Sequence, residues 1–263
     1  MKKLFFVTTI AGSLNFFKGQ YQLLLSDFDI TAIASDKKRL KEVGEENHIK
    51  IHHIPMEREI SIFKDIYCLI CFIFYFIRQR PYIVHGNTPK GSLLSMIAAW
   101  MTRVPVRIYM CHGLRYQGCR GIKRKVLMFM EHISCRCATE IICVSHGIKE
   151  VLIEDRITNK EPIVIWNGSV QGIDMGKFNP DNITDKQGLK GKYGIEDDDF
   201  VLTFVGRIVK DKGINELVEA FEYLSLKYSD IKLLLIGWNE DKGNLVSDKT
   251  KEIIDNNKNI IVT

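Results

Sequence analysis

The residues best equipped for chemistry sit where an apolar run gives way to a glycine and then to a helix-length segment. The sharpest such junction is Val205-Gly206-Arg207-Ile208-Val209-Lys210-Asp211-Lys212-Gly213. The run before it reads as a buried strand ending at Val205, and Gly206 permits a tight turn. Ile214, Leu217, Val218, Phe221 and Leu224 mark the apolar face of a helix that begins near Gly213. A strand-to-helix turn sets free backbone N–H groups and the positive end of a helix at the carboxyl edge of a sheet, which is an anion site. Arg207 can fork onto phosphate oxygens and Lys212 adds a point charge. The alternative is two cations lining a solvated loop.

A second junction, Met110-Cys111-His112-Gly113, puts His112 just after another apolar run and at the same kind of edge. Taken alone, a histidine after a strand is more often structural. Ser13 and its neighbours lie near a helix start, where backbone N–H groups can meet a diphosphate. Lys90 and Arg115 offer cations to the phosphate of a donor or of an acceptor. Metal chemistry finds no support: Asp27-x-Asp29 and Asp197-Asp198-Asp199 fall before strands, at the end opposite the expected site, and read as solvated turn acids. His52 and His53 alternate across a strand, so their rings point to opposite faces.

The elements that must position these residues alternate in the manner of a parallel α/β sheet. Strands are predicted at 3–9, 29–34, 50–54, 82–85, 106–110 and 140–144. Helices are predicted at 16–26, 37–45, 60–79, 92–102, 121–137 and 146–154. In the helix after Gly121, Ile122, Val126, Phe129, Met130 and Ile133 recur at helical spacing, with Lys123, Arg124 and Lys125 over the rest of its surface. Residues 167–199 lack apolar periodicity and are punctuated by glycine, which marks an interdomain connection. A second α/β unit follows, with strands at 200–205, 232–236 and 259–262 and helices at 213–228 and 249–256. The domains are therefore expected at 1–166 and 200–263. The second is expected to be incomplete, because about 65 residues make at most half of a doubly wound domain and the chain ends on an apolar run typical of an internal strand.

Bulk composition narrows the classes. Hydrophobic residues make up 46% and charged residues 26% of the 263, the mix of a globular protein with a real core. Seven cysteines, an odd number, do not form a secreted disulfide framework and read as reduced thiols. Cys68 and Cys71, and Cys135 and Cys137, are expected to pack in the core. Residues 66–77 make a twelve-residue uncharged run, about 18 Å as a helix, too short for a ~30 Å hydrocarbon core. No signal peptide is evident. A net charge of +5 does not argue for nucleic acid, and no reading motif is present. Residues 66–130 nonetheless hold ten Lys or Arg and no Asp or Glu, a positive surface suited to phosphates or an anionic bilayer, or simply a solvated basic face.

Gly206-Arg207-x4-Lys212-Gly213 resembles the donor-binding segment of the retaining glycosyltransferases of family 4, the large group of capsule and lipopolysaccharide enzymes with the GT-B fold. Asn167-Gly168-Ser169-Val170-Gln171-Gly172-Ile173-Asp174, with Phe178-Asn179-Pro180, resembles the family's linker. Residues 8–13 through Phe16-Phe17 resemble the loop after its first strand. His85-Gly86-Asn87-Thr88-Pro89-Lys90 resembles a sheet-edge segment of its polysaccharide members. The resemblance implies two Rossmann-like lobes. It also implies that Arg207 and Lys212 bind the diphosphate of a nucleotide-sugar, uridine-linked, and that His112 contacts the donor sugar or phosphate. By the same resemblance, anomeric configuration is retained without a divalent metal. The acceptor would be a glycan on a polyprenyl diphosphate. The acid-free basic stretch and the amphipathic helix after Gly121 lead to the expectation of a cytoplasmic enzyme bound peripherally at the inner face of the cytoplasmic membrane. The family's pair of glutamates separated by seven residues has no counterpart after Lys212, so weak donor binding and little turnover are expected of this polypeptide. A non-catalytic, partner-binding remnant and a nucleotide-sugar epimerase are the rivals; the linker and the Gly206-Arg207 segment argue against the epimerase.

Overall fold

The computed structural model describes residues 1–238 and 245–263, which fold as two compact units, Met1–Ile173 and Asp174–Thr263. The first is built on a seven-stranded, all-parallel sheet: β1 (Lys2–Val7), β2 (Phe28–Ala34), β3 (Lys50–His53), β4 (Ile83–Asn87), β5 (Val106–Cys111), β6 (Glu140–Cys143) and β7 (Ile163–Val164). The strand order is β3-β2-β1-β4-β5-β6-β7. The chain winds outward from β1 to β3, returns, and winds the other way from β4. The order therefore reverses between β1 and β4, where doubly wound sheets open a crevice beyond the strand carboxyl ends.

Alternation along the strands divides the core. Phe5, Val7 and Ile33 pack with Phe72, Phe76, Met96 and Leu152 on one face, whereas Leu4, Phe6, Ile30 and Ala32 pack with Leu14, Phe17, Tyr21 and Leu40 on the other. The helices are α1 (Lys18–Leu24), α2 (Lys37–Asn47), α3 (Ile62–Gln79), α4 (Pro89–Met101), α5 (Gly121–Cys137) and α6 (His146–Glu154). Local chemistry sets several of their ends. Asp36 accepts from the Arg39 amide at 3.1 Å to cap α2, and Ser145 accepts from the Ile148 amide at 3.3 Å to cap α6.

Several elements differ from the sequence expectation. Residues 11–17 form a 3-10 helix before α1, because Ala11, Leu14 and Phe17 recur every three residues and all three are buried. Strand β7 was not predicted; two residues carry too little periodicity. On α3, Cys68, Phe72 and Phe76 form a buried line at i, i+4 spacing, but Phe63 is 89% exposed and Ile66, Ile70 and Phe74 also face solvent. A core role thus holds for one face only. On α5 the predicted apolar stripe is split: Ile122 is 82% exposed and Val126 and Phe129 are exposed, whereas Met130 and Ile133 pack against the core beside buried Leu127, Glu131, Ser134 and Cys135.

The second unit has a parallel sheet of order β10-β9-β8, made of β8 (Phe200–Val205), β9 (Ile231–Ile236) and β10 (Ile260–Val262). Helices α8 (Ile214–Ser225) and α9 (Asp248–Asn256) connect them, and Ile214, Val218, Phe221, Leu233, Leu235 and Ile253 form the core. A short helix, α7 (Lys186–Lys192), precedes the sheet within the glycine-punctuated segment. Asp185 caps it by accepting from the Gly188 amide at 2.7 Å, a local signal that apolar periodicity does not carry. The expectation that β8 is buried to its end is corrected: β8 lies at the sheet edge and Val205 is 74% exposed.

The inward face of α5 buries one carboxyl group. Glu131 is 6% exposed and accepts a hydrogen bond from the Tyr109 hydroxyl. Burial raises its pKa to about 7, with the Tyr109 bond opposing. An acid whose folded pKa is raised leaves stability intact below about pH 4.5; stability falls as pH climbs to about 7 and then levels off. The cost at pH 8 is about 3 kcal/mol, from roughly 1.4 kcal/mol per pKa unit. Glu131→Gln, which keeps the acceptor oxygen, is therefore expected to raise the denaturation midpoint at pH 8 and change it little at pH 5. An equal effect at both values would contradict an ionising Glu131.

Candidate functional site

The segments leaving β1, β4 and β5 meet at the crevice edge and tie one another down. The Thr9 amide and hydroxyl both lie 2.9 Å from the Thr88 Oγ1, and the Gly91 amide donates to the Thr9 Oγ1 at 3.0 Å. These bonds pin the first turn of α4 against the end of β1. Thr88, just before α4, has φ 64° and ψ 146°, a conformation side chains rarely adopt. Such strain costs on the order of 1–3 kcal/mol and persists where the surroundings over-determine it, commonly at ligand sites. Gly91 is required by closeness: a Cβ there would lie 3.0 Å from the Thr9 nitrogen and 3.1 Å from the Thr8 carbonyl carbon.

A hollow of about 260 Å³ opens at this point, lined by Thr9, Ile10, Ser13, Thr88, Lys90, Arg58 and Arg115 among others. It brings together three residues singled out from the sequence, Ser13, Lys90 and Arg115. Their roles are not equal. Lys90 is 5% exposed, and its ammonium lies 2.7 Å from the Asp65 Oδ1 and donates also to the Glu59 carbonyl. Its charge is thereby committed to the protein. Arg115 is half-exposed, with only a 3.9 Å approach to Glu59. Arg58, which sequence reasoning missed, adds a second guanidinium to the hollow. It lies in an irregular segment with no motif around it, so only the fold could reveal it. The Ser13 amide closes a turn onto the Ile10 carbonyl at 3.0 Å, which leaves its hydroxyl as the group offered to a ligand.

His112, immediately after β5, is half-buried against the rings of Phe16 and Phe17. Its Nε2 lies 3.2 Å from the Asn87 Oδ1, and the Asn87 Nδ2 lies 2.9 Å from the Nδ1 of His85. Burial lowers the pKa of both imidazoles, that of His85 to about 3, so both are neutral near pH 7. Asn87 and His85 are further residues of the site; the sequence marks them only as part of the His85–Lys90 segment that resembles a sheet edge of the family, without a role for either side chain.

In the second unit the loop leaving β8 carries Gly206, Arg207 and Lys212. The Gly206 amide donates to the Ile236 carbonyl at 2.9 Å, and the Ile208 amide to the Trp238 carbonyl at 3.0 Å. This zips the turn to the exit of β9 so tightly that a Cβ on Gly237 would fall 1.8 Å from the Gly206 oxygen. Buried Ile208 and Val209 anchor the loop from below. A 3-10 turn at Lys210–Lys212 then leads through Gly213 into α8, whose first amides lack intrahelical partners. Arg207 is half-buried and Lys212 exposed beside that helix start. The arrangement has the makings of an anion site: cations, amides and the positive end of a helix.

Other sequence candidates are accounted for structurally. The His52 ring stacks on Tyr75 at 3.6 Å, whereas the His53 Nε2 meets the Ser35 carbonyl at 2.7 Å. Asp29 pairs with Lys50 and Asp197 with Lys190. Among the described residues no three His, Cys, Asp or Glu side chains gather as a metal site.

Residues 23–169 match Glycosyltransferase Family 4, and residues 185–262 match Glycosyl transferases group 1. The capsular polysaccharide biosynthesis glycosyltransferase CapM of Staphylococcus aureus is 37% identical over 99% of this chain and 67% of its own. The UDP-Gal:alpha-D-GlcNAc-diphosphoundecaprenol alpha-1,3-galactosyltransferase of Escherichia coli is 28% identical over 86% of this chain and 65% of its own. The chain thus spans about two thirds of the length of these relatives. Among solved structures, Anabaena HepE in complex with UDP and glucose superposes with a TM-score of 0.70 at 14% identity, over 100% of this chain and 69% of its own. At that identity the likeness speaks for the fold.

The close packing of α4 on β1 gives a direct expectation. Gly91→Ala should destabilise the protein by about 1–3 kcal/mol, as overpacking against backbone does. Chemical denaturation measures this, and an unchanged midpoint would mean that the α4 start is not held as described.

Proposed function

Because the chain belongs to Glycosyltransferase Family 4, we propose that it transfers a hexose or N-acetylhexosamine from a uridine diphosphate sugar to a polyprenyl diphosphate-linked glycan in surface polysaccharide synthesis. The observation that carries this is the β8–α8 turn. Its backbone is fixed before any ligand arrives, and it sets Arg207 and Lys212 beside free helix amides. As the sugar leaves, negative charge grows on the diphosphate. Fixed cations and amides aimed at that position stabilise the transition state without reorganising. In this reading they meet the diphosphate charge without a divalent metal. Retention of configuration follows the family resemblance, with His112 at the donor sugar.

The acceptor is assigned to the first unit. The relative from Escherichia coli is named for a diphosphoundecaprenol substrate, and a phosphate of that kind suits the hollow bearing Arg115 and Arg58. Lys90, ion-paired with Asp65, shapes the wall of this hollow. A cytoplasmic enzyme peripheral to the inner leaflet fits the surface of α5, where exposed Ile122, Val126 and Phe129 run beside exposed Lys123 and Lys125. Arg124 contributes less, because it lies 3.3 Å from Asp155. No helix among the described residues is long and apolar enough to cross a membrane.

Calorimetric titration with UDP tests the donor side. Binding is expected, and Arg207→Ala and Lys212→Ala should each weaken it about tenfold or more, from roughly 1.5–3 kcal/mol per charge-assisted hydrogen bond. No UDP binding at millimolar concentration would sink the reading, and binding with no trace of sugar transfer to lipid-linked glycan would favour a non-catalytic remnant over the weak turnover expected of this polypeptide. Vesicle sedimentation tests the membrane side. Lys123→Ala with Lys125→Ala should weaken binding to anionic vesicles about 30-fold, at roughly 1 kcal/mol per base. Equal binding to neutral vesicles would remove the electrostatic argument.

A further inference from the structure

The polar contacts around Asn87 determine which nitrogen of His112 faces outward. Asn87 ends β4 and is 1% exposed. Its Nδ2 lies 3.0 Å from the His85 carbonyl oxygen and 3.4 Å from that of Val7. A backbone carbonyl only accepts, so the amide nitrogen must be on that side and the amide cannot be turned over without setting oxygen against oxygen. The same Nδ2 meets the His85 Nδ1 at 2.9 Å, which makes that nitrogen an acceptor and His85 the Nε2–H tautomer. His85 is buried between Phe6 and Phe17 and cannot turn to relieve the contact without moving both rings.

The orientation propagates one bond further. With Nδ2 fixed, the Asn87 Oδ1 faces the His112 Nε2 at 3.2 Å. An amide oxygen only accepts, so Nε2 carries the hydrogen. Burial keeps His112 neutral, and the remaining nitrogen, Nδ1, then holds a lone pair. Among the described residues no protein group bonds to that Nδ1.

We propose that Asn87 is a positioning residue: with its amide nitrogen held on the side of the His85 carbonyl and Nδ1, it locks His112 as the neutral Nε2–H tautomer and presents Nδ1 to the ligand as a hydrogen-bond acceptor. An acceptor there takes a hydroxyl. It repels the oxygens of an ionised diphosphate, which offer no hydrogen. This inference rests on the placing of the donor at His112 and narrows it: the group His112 meets is a hydroxyl of the sugar, and the phosphates are left to other residues.

Nitrogen NMR on the 263-residue chain tests this without any need for turnover. Long-range proton–nitrogen spectra of the histidine-labelled protein at pH 7.5 identify His112 by the loss of its signals in His112→Gln. The expected result is an unprotonated Nδ1 and a protonated Nε2 in the wild type. In Asn87→Ala, which circular dichroism must show to be folded, the His112 signals should move to the averaged positions of exchanging tautomers. A protonated Nδ1 in the wild type, or an unchanged tautomer in folded Asn87→Ala, would overturn the proposal. Titration then separates it from the functional reading. UDP-glucose should shift the His112 Nδ1 signal where UDP alone does not, and an equal shift with both would overturn the hydroxyl contact. If neither ligand moves His112 while the tautomer is as expected, the lock stands and the donor assignment falls.

Discussion

All seven strands of the larger sheet run in one direction, and the chain reverses its winding between β1 and β4. From that constraint the rest of the site follows. Every β-to-α connection in a parallel sheet emerges at the same edge, so Thr9, Thr88 and His112 arrive at one place although they lie far apart in sequence. The connections leaving the paired strands β1 and β4 also pass to opposite faces of the sheet, which opens space above the strands' carboxyl ends. The smaller sheet obeys the same rule, and its first connection delivers Arg207 and Lys212 to the edge where α8 begins. The direction of the strands decides where chemistry can occur; the side chains at that edge decide which chemistry it is.

Those side chains are held before a ligand is bound. Thr9 and Thr88 exchange hydrogen bonds, Lys90 is neutralised by Asp65, and Asn87 sets its amide nitrogen toward His85 and its amide oxygen toward His112. Buried polar groups left unpaired are costly, so networks of this kind fix a geometry strongly when they are complete. The result is a division of labour. Some polar residues serve the protein, and a few, such as Arg115, Arg58 and the outward nitrogen of His112, remain for the ligand. That preorganisation is what a transferase needs where charge appears in the transition state.

Much of this was legible in the sequence, for identifiable reasons. The helix at 121–137 and that at 146–154 have the bounds their spacing and flanking residues imply, because Gly121 and Ser145 mark their starts. The α/β alternation, the glycine-rich connection and the Gly206-Arg207 turn are local patterns, and local patterns survive in a one-dimensional reading. Residues whose role depends on a distant partner were not legible. Lys90 reads as a free cation until Asp65 is placed against it, and Arg58 reads as an ordinary loop residue. Asn87 lies in the His85–Lys90 segment that the sequence marks as a sheet edge, yet nothing local gives its amide an orientation, which depends in part on the carbonyl of Val7, 80 residues away. The stripe on α5 was visible as a stripe, but only packing revealed that Ile122, Val126 and Phe129 face solvent while Met130 and Ile133 meet the core.

Whether the turn between β8 and α8 holds a diphosphate is tested most directly by amide hydrogen exchange with and without saturating UDP. Slowed exchange is expected across residues 206–214, where a bound diphosphate would hold the loop and cap the free amides at the start of α8, with little change across 121–137. Unchanged exchange at 206–214 under conditions where UDP is bound would contradict the assignment and place the nucleotide elsewhere on the chain.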